Sequence, residues 1–377
     1  MVSIPNHHFF QWVDQLKDCG HDVIWFDASD GGSHVERINW VNQIKGWKLK
    51  WNFPKRHSLK QYFPLFYKGI QKWNERDITD VFENIIQEYQ PDIVHSFEMH
   101  LAGLPILAVM QKHKDIPFIY SSWGSDMFYY SQLGIAKSQV SNFLERVNYL
   151  ITDCHRDYKI ALENGYKNTF LGVYPGNGGI AIDTTKIKDT QQRKTIMIKG
   201  YDDGVGMALK VIQALELISI SLIKNYSIVV YSADASIIHH LKSATYFESL
   251  KVRVIKRGEF ISNSELLEIM GQSVLHIGNS ISDGMPNALL EAMGMGAFPI
   301  QSNPGKVSEE VIKEGVNGLL INDPFNTQKI ADGIELVILN LEMRAQAQVY
   351  NVDFIQKNYN RLALKKEIID NYEKCRR

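Results

Sequence analysis

A chain of 377 residues exceeds the length at which one hydrophobic core usually keeps growing, so two domains are expected. Its 45% apolar and 22% charged residues are ordinary for a soluble globular protein, and a formal net charge of -1 argues against a dedicated nucleic-acid binder. Cys19, Cys154 and Cys375 are few and far apart with no C-x-x-C, which argues against a disulfide framework and a cysteine zinc site and fits a reducing compartment. No apolar run is long enough to span a bilayer and no basic-then-apolar leader opens the sequence, so the expected location is cytoplasmic.

In chain order, Met1 to Ile4 predicts a short first strand, and Phe9, Phe10, Trp12, Val13 and Leu16 form a helical apolar face that ends at Gly20. His21 to Phe26 predicts the second strand, with polar turn residues Asp27 to Gly32 at its carboxyl end, where open parallel sheets bind ligands. Residues 45–76 differ in character. Lys45, Lys48, Lys50, Lys55, Arg56, Lys60, Lys68, Lys72 and Arg76 face a single acid, Glu75, and aromatics from Trp47 to Trp73 are interleaved with them. That mixture suits an anionic lipid headgroup interface, a solvated face whose aromatics belong to the core, or a single-stranded nucleic-acid platform, for which nothing else in the chain speaks.

The alternation then resumes with a helix over 78–90, the strand Asp92 to Phe97, a helix from Leu101 to His113 and the strand Ile116 to Ser121. Glu98 and His100 follow one of these strands and Ser122 to Asp126 the other, which predicts two loops facing each other across a cleft. Helices near 137–148 and 156–164 and strands at 149–152 and 169–173 complete the first half, and Pro175 to Gly179 is the candidate boundary. The second half repeats the pattern, with strands expected at 195–199, 226–231, 252–255, 274–277, 298–301 and 318–321. Beyond 325 the chain reads as helix, and the last segment, near 360–375, has no strand to pair with and is expected to return to the first domain.

The stretch most suggestive of chemistry is 279–293. A glycine-containing loop leaves a buried strand and meets a helix, with Pro286 expected at its first position, so the N–H groups at 287–289 form a cradle for a diphosphate. Asp283 lies in the loop and Glu291 about 6 to 8 Å along the helix axis. Taken alone, the two acids equally fit an N-cap and a solvated helix residue. After the first strand of this half, Lys199-Gly200-Tyr201-Asp202-Asp203-Gly204-Val205-Gly206 contains a G-x-G without the third glycine of the dinucleotide fingerprint, and it offers Lys199 as charge beside phosphates.

With these residues placed, the chain resembles glycosyltransferase family 4. Asp283 and Glu291 match that family's E-x7-E pattern, followed by Ala292-Met293, Gly296, Pro299-Ile300, Glu310, Gly315 and Gly318-Leu319-Leu320. Looser matches are Gly20 to Val23, Pro91 to His95 and Gly124-Ser125-Asp126, and 175–179 matches the family's interdomain loop. The resemblance implies an α/β chain of the GT-B fold: two facing Rossmann-like domains with parallel sheets and an interdomain cleft. The acceptor domain would be 1–177, with 359–377 packing back on it, and the donor domain 178–358.

It further implies a retaining transferase moving a sugar from a nucleoside diphosphate sugar to a hydroxyl of a glycan or lipid-linked acceptor, in cell-surface polysaccharide or glycolipid synthesis. No cofactor and no metal are expected, since the chain has no D-x-D. Glu291 would hold ribose, and Asp283 with the backbone of Gly284, Met285, Pro286 and Asn287 the sugar and diphosphate. Asp283, Asp126 and Lys199 form the expected catalytic set, Gly200 and Arg257 join the donor side, and His7, His95, Glu98 and His100 are acceptor-side candidates.

Three departures stand out. The first acid is an aspartate, Trp123 replaces the histidine of the family's H-G-x-D, and the arginine and lysine that clamp the diphosphate fall on Tyr201 and Gly206. Lys199, Lys210 or Arg257 would then have to supply the charge, Lys199 first because it ends a strand. A nucleotide-sugar epimerase and a non-catalytic nucleotide-sugar binding protein are the alternatives. The expected partners are a nucleotide sugar, a glycan or lipid-linked acceptor and, through 45–76, the inner face of an anionic membrane; no nucleic acid is expected.

Overall fold

The computed structural model describes residues 1–376, which fall into two compact units. Unit 1 comprises Met1–Asp153, Asp157–Gly178 and the segment from Lys365 onward; unit 2 comprises Cys154–Arg156 and Gly179–Leu364.

Unit 1 holds a seven-stranded parallel sheet built from β1 (Val2–Ser3), β2 (Ile24–Asp27), β3 (Asn42–Ile44), β4 (Val94–Phe97), β5 (Phe118–Ser121), β6 (Tyr149–Thr152) and β7 (Thr169–Val173), in the order β3-β2-β1-β4-β5-β6-β7. Strands covered on both faces carry continuous buried runs, and every residue of β4 and β5 is buried. Strand β3 escaped sequence reading because it is a three-residue edge strand, Asn-Gln-Ile, with no apolar run. The aromatic core gathers Phe9, Trp12, Trp25 and Phe97, and Tyr372 from the last helix (Arg361–Cys375) accepts a hydrogen bond from Trp12 Nε1 at 3.0 Å.

Unit 2 holds a six-stranded parallel sheet of β8 (Thr195–Lys199), β9 (Ser227–Ala233), β10 (Lys251–Lys256), β11 (Ser273–Gly278), β12 (Phe298–Ser302) and β13 (Leu319–Ile321), in the order β10-β9-β8-β11-β12-β13. Its core packs Ile196, Ile198, Val230, Leu275, Ile277 and Ile300 against Val211, Ile212 and Leu215 of the helix Ala208–Glu216.

Residues 45–76 are joined end to end by hydrogen bonds between 47–51 and 74–76. The base of this segment is stitched by Asn74, buried, whose Nδ2 donates to Trp51 O (2.9 Å) and whose Oδ1 accepts from Trp51 N (2.8 Å), and by Arg76 Nη1 donating to Trp47 O (2.6 Å). Beyond that base come two short helices, Arg56–Tyr62 and Pro64–Asn74. Trp47 and Tyr67 are buried, but Trp51, Tyr62, Phe63, Phe66 and Trp73 are exposed by 62% to 77% and Leu65 by 82%. No described helix is long and apolar enough to cross a membrane.

Candidate active site

In unit 2 the strand order reverses between β8 and β11, and open parallel sheets bind ligands outside the carboxyl ends of their strands at such a reversal. Lys199 is the last residue of β8, and the loop 279–286 leaves β11. The two loops are tied together: Ile281 N donates to Val205 O (3.0 Å), Met207 N donates to Asn279 O (2.9 Å), and Gly206 bridges Ser280. Asn279 Nδ2 also donates to Pro324 O (2.9 Å), which fixes the start of the loop.

The helix that follows is Asn287–Gly294. Pro286 is its N-cap (φ -67, ψ 118) rather than its first helical residue, because its ψ is extended while its carbonyl accepts from Leu289 N and Leu290 N. Gly284, Met285 and Pro286 are buried, and Asn287 is half-buried. Asp283 stands in the loop with Lys199 Nζ 3.8 Å from its Oδ2. Glu291 is 9% exposed and accepts from Asn263 Nδ2 at 3.0 Å; burial pushes its carboxyl up to about 7, against that hydrogen bond and the charge of Lys199. It is therefore a buried acid and not a solvated helix residue.

Arg257 reaches the same loop cluster, with Nη1 3.0 Å from Asp203 Oδ2 and 3.1 Å from Asp234 Oδ2. Gly200 is required by close approach, since a Cβ there would stand 2.7 Å from Ala233 Cα. Lys210 lies on the helix Ala208–Glu216, half-buried. Sequence reading missed Asn263, whose partner is 28 residues away, and the pair Tyr231 and His276, joined at 2.9 Å beneath the site. Burial first and Lys199 second hold the His276 imidazole down at about 3, so it stays neutral. Neither contact has a local sequence signal, because each joins distant strands or helices.

In unit 1 the order reverses between β1 and β4. His7, exposed, opens the helix His7–Asp14 beyond β1, and Glu98 follows β4. Glu98 takes φ 71, unusual for a non-glycine, and caps a π-helical turn, Met99–Gly103, that precedes the helix expected from Leu101. Its carboxylate accepts from His100 N (2.8 Å) and from Leu101 N. Burial, then the neighbouring Asp126, raises it to about 8. His100 is half-buried on that turn.

Two expectations change here. Asp126 is 2% exposed and accepts from Met99 N (2.6 Å), Tyr120 Oη (2.6 Å) and Trp123 N (3.0 Å), so in this structure its carboxylate fastens the two loops, the work of a positioning residue. His95 is enclosed in the core beneath the expected acceptor side: it is 1% exposed, stacks on Phe97 at 4.0 Å, and pairs Nδ1 with Tyr372 Oη (2.7 Å) and Nε2 with Ser121 Oγ (2.8 Å). Burial drives its pKa well below the usual imidazole range.

Two α/β units, each a parallel sheet with a mid-sheet reversal of strand order, define the GT-B glycosyltransferase class of fold. Residues 208–351 match the family described as Glycosyl transferases group 1, and residues 78–154 match Glycosyl transferase 4-like. Over residues 208–351 the chain is similar to the group 1 glycosyltransferases, its fold is the GT-B fold, and its resemblance to family 4 is consistent with both. No curated protein matches it significantly in sequence. Among solved structures it is similar to the sucrose-phosphate synthase of Thermosynechococcus elongatus (TM-score 0.69, 13% identity, 99% of this chain and 95% of that one). It is also similar to Anabaena HepE in complex with UDP and glucose (TM-score 0.66, 12% identity, 99% and 100%). A glycosyltransferase from Rickettsia africae gives a TM-score of 0.64 at 15% identity, covering 98% and 94%.

Proposed function

We propose that this chain transfers a sugar from a nucleoside diphosphate sugar to a hydroxyl of a glycan or lipid-linked acceptor, with retention at the anomeric carbon and without a metal ion. The observation that carries the donor side is the convergence of Lys199, Asp283 and the helix start at Asn287 on the reversal point of the unit 2 sheet, with Glu291 buried one turn further on. Similarity to a fold solved with UDP and glucose supports it.

In this reading Glu291 accepts hydrogen bonds from the ribose hydroxyls, and the backbone at 284–287 and the helix dipole hold the diphosphate. Asp283 engages a sugar hydroxyl, and Lys199 stabilises the charge that develops as the bond between the anomeric carbon and the diphosphate breaks. The electron pair of that bond leaves with the diphosphate. The acceptor oxygen bonds to the anomeric carbon on the same face, and its proton passes to the departing phosphate oxygen, so no protein base is needed and Trp123 in place of a histidine is tolerated. Glu98, His7 and His100 supply the polar groups for the acceptor on unit 1.

The exposed aromatic rings of residues 51–73, with Lys55, Lys60, Lys68 and Lys72 exposed among them, support docking on an anionic membrane surface and hence a lipid-linked acceptor. The apolar patch gives burial in the headgroup region, and the lysines match its charge.

The purified protein should release nucleoside diphosphate from one member of a panel of nucleotide sugars in the presence of lipid or glycan acceptors. No turnover with any donor, together with unchanged nucleotide binding in Glu291→Ala, would sink the donor assignment. Interconversion of free donor without acceptor would indicate an epimerase instead. Failure to pellet with phosphatidylglycerol-containing vesicles at low salt would remove the membrane surface.

A further inference from the structure

The two positions where the resemblance places the diphosphate clamp carry Tyr201 and Gly206. The geometry forbids restoring the second of them: a Cβ on Gly206 would run into the backbone carbonyl of Tyr201, so no lysine fits this loop as it is folded. The first has been given a different task. The ring of Tyr201 lies 4.9 Å from Lys199 Nζ and 4.3 Å from Arg257 Cζ, so one aromatic platform carries a cation from the end of β8 and another from the residue after β10.

We infer that Tyr201 is a positioning residue whose ring gathers Lys199 and Arg257 into a two-cation clamp for the donor's diphosphate, replacing the arginine and lysine expected at 201 and 206. The inference rests on the donor reading above. An aromatic face holds both cations without taking up their N–H donors, as a further carboxylate in the same place would. The acids around them leave donor capacity free. Arg257 makes its bonds to Asp203 (3.0 Å) and Asp234 (3.1 and 3.2 Å) through Nη1 alone, and Nε and Nη2 have no hydrogen-bond acceptor among the described residues. Lys199 Nζ is 3.8 Å from Asp283, an ion pair beyond hydrogen-bond length, so its three protons remain available to phosphate oxygens.

The same contacts explain why Arg257 stays near the site. Asp203 accepts from Val205 N (3.2 Å) and Gly206 N (3.0 Å) as well as from Arg257, which ties the arginine to the loop that Gly206 closes. Guanidinium, ring and loop thus form one unit beside the strand end that presents Lys199.

The test is calorimetry with UDP, GDP, ADP, their nucleosides and inorganic pyrophosphate on wild type, Tyr201→Phe and Tyr201→Leu, with Tyr201→Met standing in if the leucine variant does not fold. Tyr201→Leu should raise the Kd of the preferred nucleoside diphosphate by roughly tenfold, the size expected for losing two partly exposed cation–π contacts. Tyr201→Phe should stay within about twofold of wild type, and affinity for the matching nucleoside should be unmoved, because the phosphates alone meet the clamp. If the leucine variant binds the diphosphate as wild type does, or loses nucleoside and diphosphate affinity equally, the clamp is overturned and the donor reading stands. If wild type binds no diphosphate at all, the donor reading falls and takes the clamp with it.

Discussion

Glu291 offers the sharpest test, because its burial and its proposed ligand act on the same proton. Its carboxyl moves from 4.5 to about 7 on folding. At 1.36 kcal/mol per pH unit, that corresponds to about 3 kcal/mol of linkage between folding and protonation. The sign follows from the raised value: the folded state holds the proton more tightly, so the group's contribution to stability is full below pH 4.5, is lost as pH rises to about 7, and is level above. Glu291→Gln keeps the shape and the oxygen that accepts from Asn263 while removing the titration. Urea unfolding at intervals from pH 4.5 to 8 should show the variant gaining about 3 kcal/mol relative to wild type across that range. Nucleotide affinity should move the other way. Ribose hydroxyls favour the charged carboxylate, so wild-type binding should tighten as pH rises through 7, and the variant should lose both that dependence and roughly tenfold to a hundredfold in affinity. Parallel stability curves for the two proteins between pH 5 and 7 would refute the reasoning.

Three further outcomes are expected. Lys199→Ala should lower the rate of diphosphate release by roughly a hundredfold, as for other lost transition-state donors, and an unchanged rate with saturating nucleotide sugar would exclude the lysine from the leaving-group side. Asp126→Asn should destabilise unit 1 by about 2–4 kcal/mol, because the amide turns an NH2 toward donors that now meet a carboxylate; thermal unfolding measures it, and an unshifted midpoint would contradict the enclosed geometry. Replacing Phe63, Phe66 and Trp73 with serine should abolish pelleting with anionic vesicles at unchanged thermal stability, since all three rings are exposed; retained pelleting would show that the patch does not carry the contact.

Much of the fold was legible in the sequence for a specific reason. Strands such as β5 and β11 are buried on both faces and so are written as short apolar runs between turn residues, while helices such as Ala208–Glu216 repeat apolar residues at helical spacing. An edge strand such as β3 carries no such run, and the π-helical turn at Met99–Gly103 depends on Glu98 and Asp126, which follow different strands and accept from successive N–H groups of that turn, Asp126 from Met99 N and Glu98 from His100 N and Leu101 N. Residues 45–76 show the opposite limit. Their composition equally suited a core and a membrane face, and only packing separated Trp47 and Tyr67 inside from Phe66 and Trp73 outside.

The same division runs through the site. The loop 279–287, the helix start and the spacing of Asp283 from Glu291 are local, so the sequence by itself determined an anion cradle flanked by two acids. What His95, Asp126 and Tyr201 do is decided by residues on other elements: Tyr372 and Ser121 enclose the first, Met99 and Tyr120 bind the second, and Arg257 reaches the third from the end of another strand. Burial and pairing set the charge and reach of an ionisable side chain, and both are properties of the tertiary structure alone.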